Sequence, residues 1–518
     1  MQESSRMVRH ALLMMMGTFA SRILGLLREV VTAAFFGASG QIDAFNVAYT
    51  LANLARQLVA EGALSAAFVP VFSKALLESR SRALSLARQA MSVLIFASLA
   101  VAFAGVLGAP LLTFVMAPGF DGETARLATS LTRWMFPFLF LISMAALVMG
   151  TLNGLGSFFM PALAPAFSNL IFILSAAFLV RHLGIHGLAV AVLLGGSLHF
   201  LSQWIWSRHI GAALYPQRPD FSDAELRKMM LLFLPYAAGL SLNQVNPVIS
   251  RMLGSFLEEG SISVLNYANR IVQLPLGLFV IAISQAVLPQ LSRVQSPDEF
   301  IAAVSEALRF ALFIVLPATV GLVMISSPFV HVTFVRGAFG EQAWNATSRA
   351  LVLSVLGLPG MACSTVVMRG LYALTLPRAA FTMTLFSVGC TAFLSLALMF
   401  PMGYGALALA PSVAFTLSGL LGLFFIRQKL GSSLGSRILS KKWIFKTTLS
   451  LALMAVALYL YKTFLPYETD IRLSLRAAWC FGAVLAAVFV YVLSTLTLRF
   501  EEWQWIKGAL FRKGTSSK

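Results

Sequence analysis

The sequence predicts an all-α polytopic membrane protein with about 14 transmembrane helices, arranged as two six-helix lobes plus two C-terminal helices. Its 518 residues are 58% hydrophobic and only 11% charged, and the mean hydropathy is +0.83. A soluble protein does not need so apolar a chain. Apolar runs of about 20 residues, the length of a helix that spans a bilayer, recur between short polar or glycine- and proline-rich turns.

The predicted helices divide into three groups along the chain. Residues 1–222 form an N-terminal lobe, with helices over 11–36, 43–70, 89–115, 127–152, 159–180 and 185–207. Residues 223–430 form a C-terminal lobe, with helices over 229–254, 263–290, 302–326, 346–373, 380–400 and 404–426. Residues 431–518 hold two further helices, over 444–464 and 473–498, and a basic tail.

An internal repeat supports the division into two lobes. The segment Ala63–Ser73 resembles Ala282–Ser292, which lies 219 residues later, and at an offset of 220 Asn46 falls on Asn266. A repeat of this length holds an even number of helices, so both copies have one orientation and an axis along the membrane normal relates them. The alternative is that two similar helices merely end at a proline at the same membrane surface.

Lysine and arginine are distributed unequally between alternate loops. When Lys446 and Lys462 are counted with the loops nearest to them, the N-terminus, every second loop and the C-terminus hold 23 of the 38 basic residues, whereas the opposite loops hold five. Because positive residues are retained on the cytoplasmic side, both termini are predicted to be cytoplasmic. The net charge of +18 therefore reflects topology and contact with anionic lipid headgroups, and nucleic acid is not an expected partner.

Four arginines lie inside predicted membrane helices: Arg22, Arg28, Arg56 and Arg270. A charged side chain at bilayer depth costs about 2.5–3.5 kcal/mol on insertion scales, so such residues normally face a water-filled cavity or a partner. The acidic residues near them are Glu29, Asp43 and Glu61. This surplus of positive charge predicts that the protein handles an anionic ligand within the membrane.

Structural roles for the same side chains remain open at this level. Arg28 and Glu29 are adjacent, which makes them poor partners for each other on a helix, and both could extend to the headgroups from a helix end. Arg22 could pair across helices with Asp43 or Glu61. Asp43 follows a glycine-containing turn and is equally compatible with a helix cap and with a cavity residue.

The sequence contains no pattern that predicts an enzyme. It has no phosphate-binding loop, zinc-protease motif or nucleophile elbow. The three cysteines form no C-x-x-C pair and have no histidine pair beside them, so neither a disulfide scaffold nor a metal site is expected; they are Cys363, Cys390 and Cys480. No cofactor is expected either, and directional transport would use an ion gradient, the membrane potential or the gradient of the substrate.

Several dense motifs closely resemble those of the MurJ (MviN) lipid II flippases, a family of the multidrug/oligosaccharidyl-lipid/polysaccharide exporter superfamily. The similarity is densest from the first helix to about residue 295. The motifs are Ser21–Glu29, Asp43–Phe45, Asn53–Arg56, Ala60–Ala63, Ala67–Pro70, Ala117–Phe120, Leu152–Asn153, Pro161–Pro165 with Asn169, and Tyr267–Arg270 with Gln273–Gly277.

The resemblance implies a function and a site. Members move lipid II, the undecaprenyl-pyrophosphate-linked peptidoglycan precursor, from the inner to the outer leaflet of the bacterial cytoplasmic membrane by alternating access. It implies that the four arginines bind the headgroup in a central cavity, and that a second set of residues shapes or gates this cavity: Glu29, Asp43, Glu61 and Asn53. The two C-terminal helices would form a groove for the polyprenyl tail, and cell-wall synthesis proteins are further candidate partners.

Two positions depart from the family pattern. Position 269 is Asn where many members have Asp, and the turn within Leu371–Pro377 is shorter than expected. The alternative functions are a flippase for another polyprenyl-pyrophosphate glycan, a drug/ion antiporter, or a non-transporting membrane scaffold for cell-wall enzymes. The sequence leaves open the coupling ion, the peptide composition of the substrate, the conformational state and the oligomeric state.

Overall fold

A computed structural model of the chain describes residues 2–57, 64–241, 244–280, 291, 294, 296–431 and 440–505. Over these ranges the regular secondary structure is helical and no strand occurs, which confirms the predicted all-α class. Ten helical segments within the described residues are long and apolar enough to cross a membrane. The total of fourteen stays a prediction.

The chain divides into two compact units. The first contains residues 1–263 together with the short segment Arg336–Phe339, and the second contains Val264–Val335 and 340–518. The division falls inside one helix, Ser261–Pro275. The three predicted domains stay predictions.

The first unit consists of eleven described helices and the start of a twelfth. They are α1 (Gln2–Phe36), α2 (Gly40–Arg56), α3 (Leu64–Glu78), α4 (Arg80–Leu107), α5 (Ala109–Met116), α6 (Gly122–Met135), α7 (Phe138–Gly154), α8 (Phe159–Leu183), α9 (His186–His209), α10 (Ala224–Ser241), α11 (Val245–Gly254) and α12 (Ser261–Pro275).

Small residues allow the helices of the first unit to approach closely, as expected in a membrane. Helix α1 packs on α8, α8 packs on α9, and α2 packs on α6. A Cβ atom on Gly17 would lie 2.9 Å from the Ala162 carbonyl oxygen, and one on Gly154 would lie 2.6 Å from the ring of Phe72. The approach at Gly17 fixes α1, which carries Arg22 and Arg28, against α8, and the one at Gly154 fixes α7 against α3.

The second unit continues from α12 through a short π-helical turn, Leu276–Val280. Its further helices are α13 (Pro297–Phe334), α14 (Glu341–Val355), α15 (Leu358–Ala373), α16 (Pro377–Met402), α17 (Tyr404–Leu430), α18 (Lys441–Phe464) and α19 (Leu473–Thr497). Helix α16 packs on α17, and the C-terminal pair α18 and α19 packs on α13. A core of its own, which includes Phe313, Met454 and Tyr491, joins these last three helices.

Candidate functional site

Arg28 is held by three neighbouring side chains of the first unit. Its Nη1 atom donates to the Tyr49 hydroxyl at 3.2 Å, and its Nη2 atom donates to Glu29 Oε1 at 2.9 Å. The guanidinium also lies 5.0 Å from the ring centre of Tyr49 and 5.3 Å from that of Phe172. The planar fork of arginine can make both hydrogen bonds and both ring contacts at once.

The ion pair between Arg28 and Glu29 overturns one sequence expectation. Side chains at adjacent helix positions point to different sides of the helix, and the sequence therefore predicts that the two residues are poor partners. The long arginine side chain instead bends back to the Glu29 carboxylate, because Tyr49 and Phe172 hold its planar end in place. Glu29 is buried, at 7% exposure, so the pair removes the cost of an isolated buried carboxylate.

Arg56 lies in the same region of the first unit. Its Nε atom donates to Asn53 Oδ1 at 2.8 Å, one helical turn earlier on α2. Tyr49 lies within electrostatic range of both Arg28 and Arg56, and His199 lies within that of Arg56. The structure therefore brings two of the four predicted arginines, with Glu29 and Asn53, around a tyrosine that sequence reasoning missed.

Asp43 closes the start of helix α12. Its Oδ2 atom accepts the Gly260 N–H at 2.8 Å, and its Oδ1 atom accepts the Ser263 N–H at 2.7 Å as well as the Ser263 hydroxyl. Asn46 Nδ2 donates to that hydroxyl at 3.3 Å. Asp43 is 2% exposed, and a carboxylate so placed satisfies N–H groups that have no partner within their own helix.

The capping role foreseen for Asp43 is thus present, but it serves another helix. Helix α2 begins at Gly40, and its N-cap residue Ser39 makes no side-chain cap. Arg251 is half-buried and donates to the Thr50 hydroxyl at 3.3 Å. Its charge acts on Asp43. Because α12 also carries Arg270, this network positions the start of a helix with a predicted site residue.

The remaining predicted residues are placed less completely. Arg22 on α1 and Arg270 on α12 are both half-buried. Arg22 belongs to the first unit and Arg270 to the second, so a single cavity lined by all four arginines stays a prediction. Glu61 lies outside the described residues, as does most of the second copy of the repeat.

The two departures from the family pattern have clear structural descriptions. Asn269 is exposed. The short turn after α15 closes with Thr375 at a φ of 54°, and the Leu376 N–H donates to the Leu371 carbonyl at 2.9 Å. Helix α16 then begins at Pro377, a residue suited to the first turn of a helix.

An apolar groove lies in the second unit between α13 and the C-terminal pair α18 and α19. It encloses about 470 Å³, and its lining is almost entirely hydrocarbon. Residues on the four helices α12, α13, α18 and α19 line it, among them Pro317, Gly321, Met454, Ala487 and Val488. Such a surface suits an apolar chain.

The described helices share their fold with multidrug transporters of the MATE family. A solved inward-facing multidrug transporter of the MATE family superimposes with a TM-score of 0.65 at 16% identity, covering 79% of this chain and 94% of that one. At that identity the likeness concerns the fold alone. The class is therefore a polytopic α-helical membrane protein of this fold, with a cationic region in its first unit and an apolar groove in its second.

Sequence relatives identify the family within that class. The family model for the lipid II flippase MurJ matches residues 32–477. A probable lipid II flippase MurJ of Rhizobium meliloti is 31% identical, with 92% of this chain and 90% of that protein covered. The lipid II flippase MurJ of Burkholderia cenocepacia is 33% identical, with 69% and 71% covered.

A solved structure of lipid II flippase MurJ in an inward-closed conformation gives a TM-score of 0.79 at 27% identity, covering 97% of this chain and all of that one. The chain belongs to the MurJ family of lipid II flippases.

Proposed function

We propose that this protein moves lipid II from the inner to the outer leaflet of the bacterial cytoplasmic membrane, with both termini in the cytoplasm. The observation that carries the proposal is the Arg28 guanidinium, which a hydrogen bond to Tyr49 holds in place. Arg56 also interacts electrostatically with Tyr49. Two arginines in one region of a membrane unit suit a pyrophosphate, because arginine stays charged and donates paired hydrogen bonds to phosphate oxygens.

The headgroup is proposed to contact four arginines, and Arg28 is the best positioned of them. Glu29 takes up one edge of its guanidinium. Because Tyr49 and Phe172 flank the group, its side chain has little rotamer freedom left to lose when the anion binds. Arg22 and Arg270 are proposed to complete the site in the state that receives the headgroup.

Asp43 is proposed to act on access to the site. Its hydrogen bonds to Gly260 and Ser263 hold the start of α12, and movement of α12 in an alternating-access cycle would have to break them. One carboxylate accepts all three hydrogen bonds, so they are lost together when the helix moves. The contact is then either made or broken.

The apolar groove of the second unit is proposed to hold the polyprenyl tail during transport. It offers a hydrocarbon lining of suitable character.

Gly321 lines this groove, and a Cβ there would already lie 3.4 Å from Met454 Cε. Gly321→Phe should therefore fill it and reduce lipid II transport. Gly389→Phe is the matched control, because nothing lies within 4 Å of a Cβ at Gly389. Equal transport by both variants would contradict the tail proposal.

The decisive experiment measures lipid II translocation in proteoliposomes that contain the purified protein. Arg22→Ala and Arg270→Ala should abolish it. Arg28→Lys should reduce it at least tenfold, because an ammonium cannot bond Tyr49 and Glu29 in the same geometry. Arg208→Ala is the control, since Arg208 is exposed at the end of α9 and lies over the ring of Trp204.

An O-antigen-type pyrophosphate lipid is assayed beside lipid II. Transport of that lipid at the same rate would favour a broader polyprenyl-pyrophosphate flippase. Normal growth of cells that carry only a folded Arg22→Ala protein would remove the headgroup role, and would favour a scaffold for cell-wall enzymes.

A further inference from the structure

A basic pocket lies at one end of the C-terminal helix pair, within the second unit. It encloses about 420 Å³ and is bordered by α13, the start of α18 and the segment after α19. Four basic side chains line it: Arg309, Lys442, Lys446 and Arg499. None of them belongs to the proposed headgroup site, and a pocket of this size is within the range of small-ligand sites.

The acidic side chains of the pocket do not balance these cations. Glu501 approaches Arg309 Nη1 at 3.6 Å, but its side chain is 71% exposed, which makes a weak pair. Glu502 is buried, and its Oε1 atom accepts the indole N–H of Trp443 at 2.7 Å. In the described part of the chain, neither Lys442 nor Arg499 forms an ion pair. The pocket therefore has a positive excess.

The backbone holds Arg499 at the pocket in an unusual conformation. Its φ is 51°, a value that glycine adopts far more readily than other residues at the end of a helix. The Phe500 N–H donates to the Thr495 carbonyl at 3.1 Å and closes the end of α19. A residue with a Cβ atom lowers stability at this position. Its presence therefore indicates that the Arg499 side chain has a use.

Two further features favour an anion there. Helix α18 begins at the pocket, where Ser440 caps the Trp443 N–H at 3.2 Å, so the positive end of its dipole points into the same space. Trp443 lines the pocket and Trp503 packs against the same core, and tryptophan is enriched at the depth of lipid headgroups. The ring of Trp503 also borders the apolar groove.

We propose that this pocket binds the phosphate of an anionic phospholipid, whose acyl chains lie along the exposed apolar faces of α18 and α19. Basic pockets between membrane helices are suited to acidic headgroups. The exposed side chains nearby are hydrocarbon, for example Phe445 at 67% and Leu493 at 50% exposure. A bound phospholipid would brace the C-terminal pair against α13 beside the groove.

The test is native mass spectrometry of the purified full chain with dioleoyl phosphatidylglycerol or dioleoyl phosphatidylcholine. The wild type should retain phosphatidylglycerol at least about fivefold better. Lys442→Gln/Arg499→Gln should abolish this preference, because each basic side chain near an acidic lipid contributes about a fivefold effect. Lys441→Gln is the control, since Lys441 is the exposed neighbour of Lys442 and does not line the pocket.

Arg499→Gly separates binding from folding. It relieves the backbone strain, so it should raise the unfolding temperature while it weakens retention of phosphatidylglycerol. A purely structural Arg499 would leave retention unchanged, which would overturn the proposal. Equal retention of both lipids by the wild type would overturn it too, as would an equal loss in Lys441→Gln.

Competition identifies the source of the phosphate. Undecaprenyl pyrophosphate should not displace phosphatidylglycerol, and inorganic phosphate should not do so at millimolar concentration. Displacement by the polyprenyl lipid would assign the pocket to the transported substrate and overturn the phospholipid proposal. Lipid II transport in liposomes of phosphatidylcholine alone reports separately on the proposed function.

Discussion

At the scale of single residues, Asp43 shows how far a sequence pattern reaches. Its position after a glycine-containing turn is equally compatible with a cap of its own helix and with a cavity residue, and in the structure its carboxylate accepts N–H groups of another helix. The helix that it caps begins more than 200 residues later, and local spacing carries no information on such a partner. Likewise Tyr49 is uncharged, so the sequence gives no reason to select it, although it interacts electrostatically with both Arg28 and Arg56.

Asp43→Asn should destabilise the protein by about 1–3 kcal/mol. The amide would direct an N–H group at the Gly260 or Ser263 donor, which leaves a buried polar group without a partner. Thermal unfolding of the purified protein in detergent measures the effect. Gln41→Ala, at an exposed position of the same turn, should leave the unfolding temperature unchanged. An equal shift in both variants would contradict the capping role.

At the scale of elements, ion pairs fix the long connection between α9 and α10. Arg82 at the start of α4 pairs with Asp223 at 2.8 Å and with Glu225 at 3.2 Å. Arg88 donates to the Ala213 carbonyl at 3.1 Å, and Ser92 donates to the Gln217 carbonyl at 2.6 Å. The basic side chains of Arg82 and Arg88 on α4 therefore order the protein's own connection.

The Asp223 pair should make stability depend on pH. Burial alone would raise the pKa of Asp223, but the hydrogen bonds from Arg82 and the Glu225 N–H outweigh it and hold that pKa below its usual range. A carboxyl group with a lowered folded-state pKa stabilises fully above the unfolded-state pKa, about 3.9, and loses this contribution as the pH falls through the folded value.

Asp223→Asn should consequently lower the unfolding temperature at about pH 6, and the difference from the wild type should shrink as the pH falls below about 4. Unfolding curves at a series of pH values check this. Asp220→Asn is the comparison, because the Asp220 carboxylate accepts only the Ser222 N–H, at 2.9 Å, and forms no ion pair among the described residues. A difference for Asp223→Asn that stays constant with pH would remove the ion pair from the explanation.

At the scale of the whole molecule, hydropathy and charge predicted the all-α membrane class, and the motifs predicted the family. They could not place the hydrogen bonds of Asp43 at the start of α12, because the partners lie more than 200 residues later in the chain. The contact between Arg28 and Phe172 was equally hidden, since it depends on how α1 packs on α8. The spacing of apolar residues and the distribution of charge predict helices, whereas the site depends on contacts between the helices.

The predicted topology is tested with single cysteines in a protein whose three native cysteines are replaced. A membrane-impermeant maleimide should label Glu123→Cys in intact cells. It should label Ser81→Cys only after the membrane is made permeable. Both positions are exposed and lie at opposite sides in the predicted arrangement. The reverse pattern would invert the orientation of the protein.

The return of Arg336–Phe339 to the first unit has a consequence for biosynthesis. The Ala338 N–H donates to the Ala34 carbonyl at the end of α1 at 2.8 Å, and Gly37 approaches Ala338 so closely that a Cβ atom would overlap its carbonyl oxygen. This contact cannot form until the ribosome has made α13. A nascent chain that ends at Ser263 would hold the first eleven helices of the first unit and still lack the contact at Ala34 and Gly37. The first unit is therefore completed only after α13 has been synthesised.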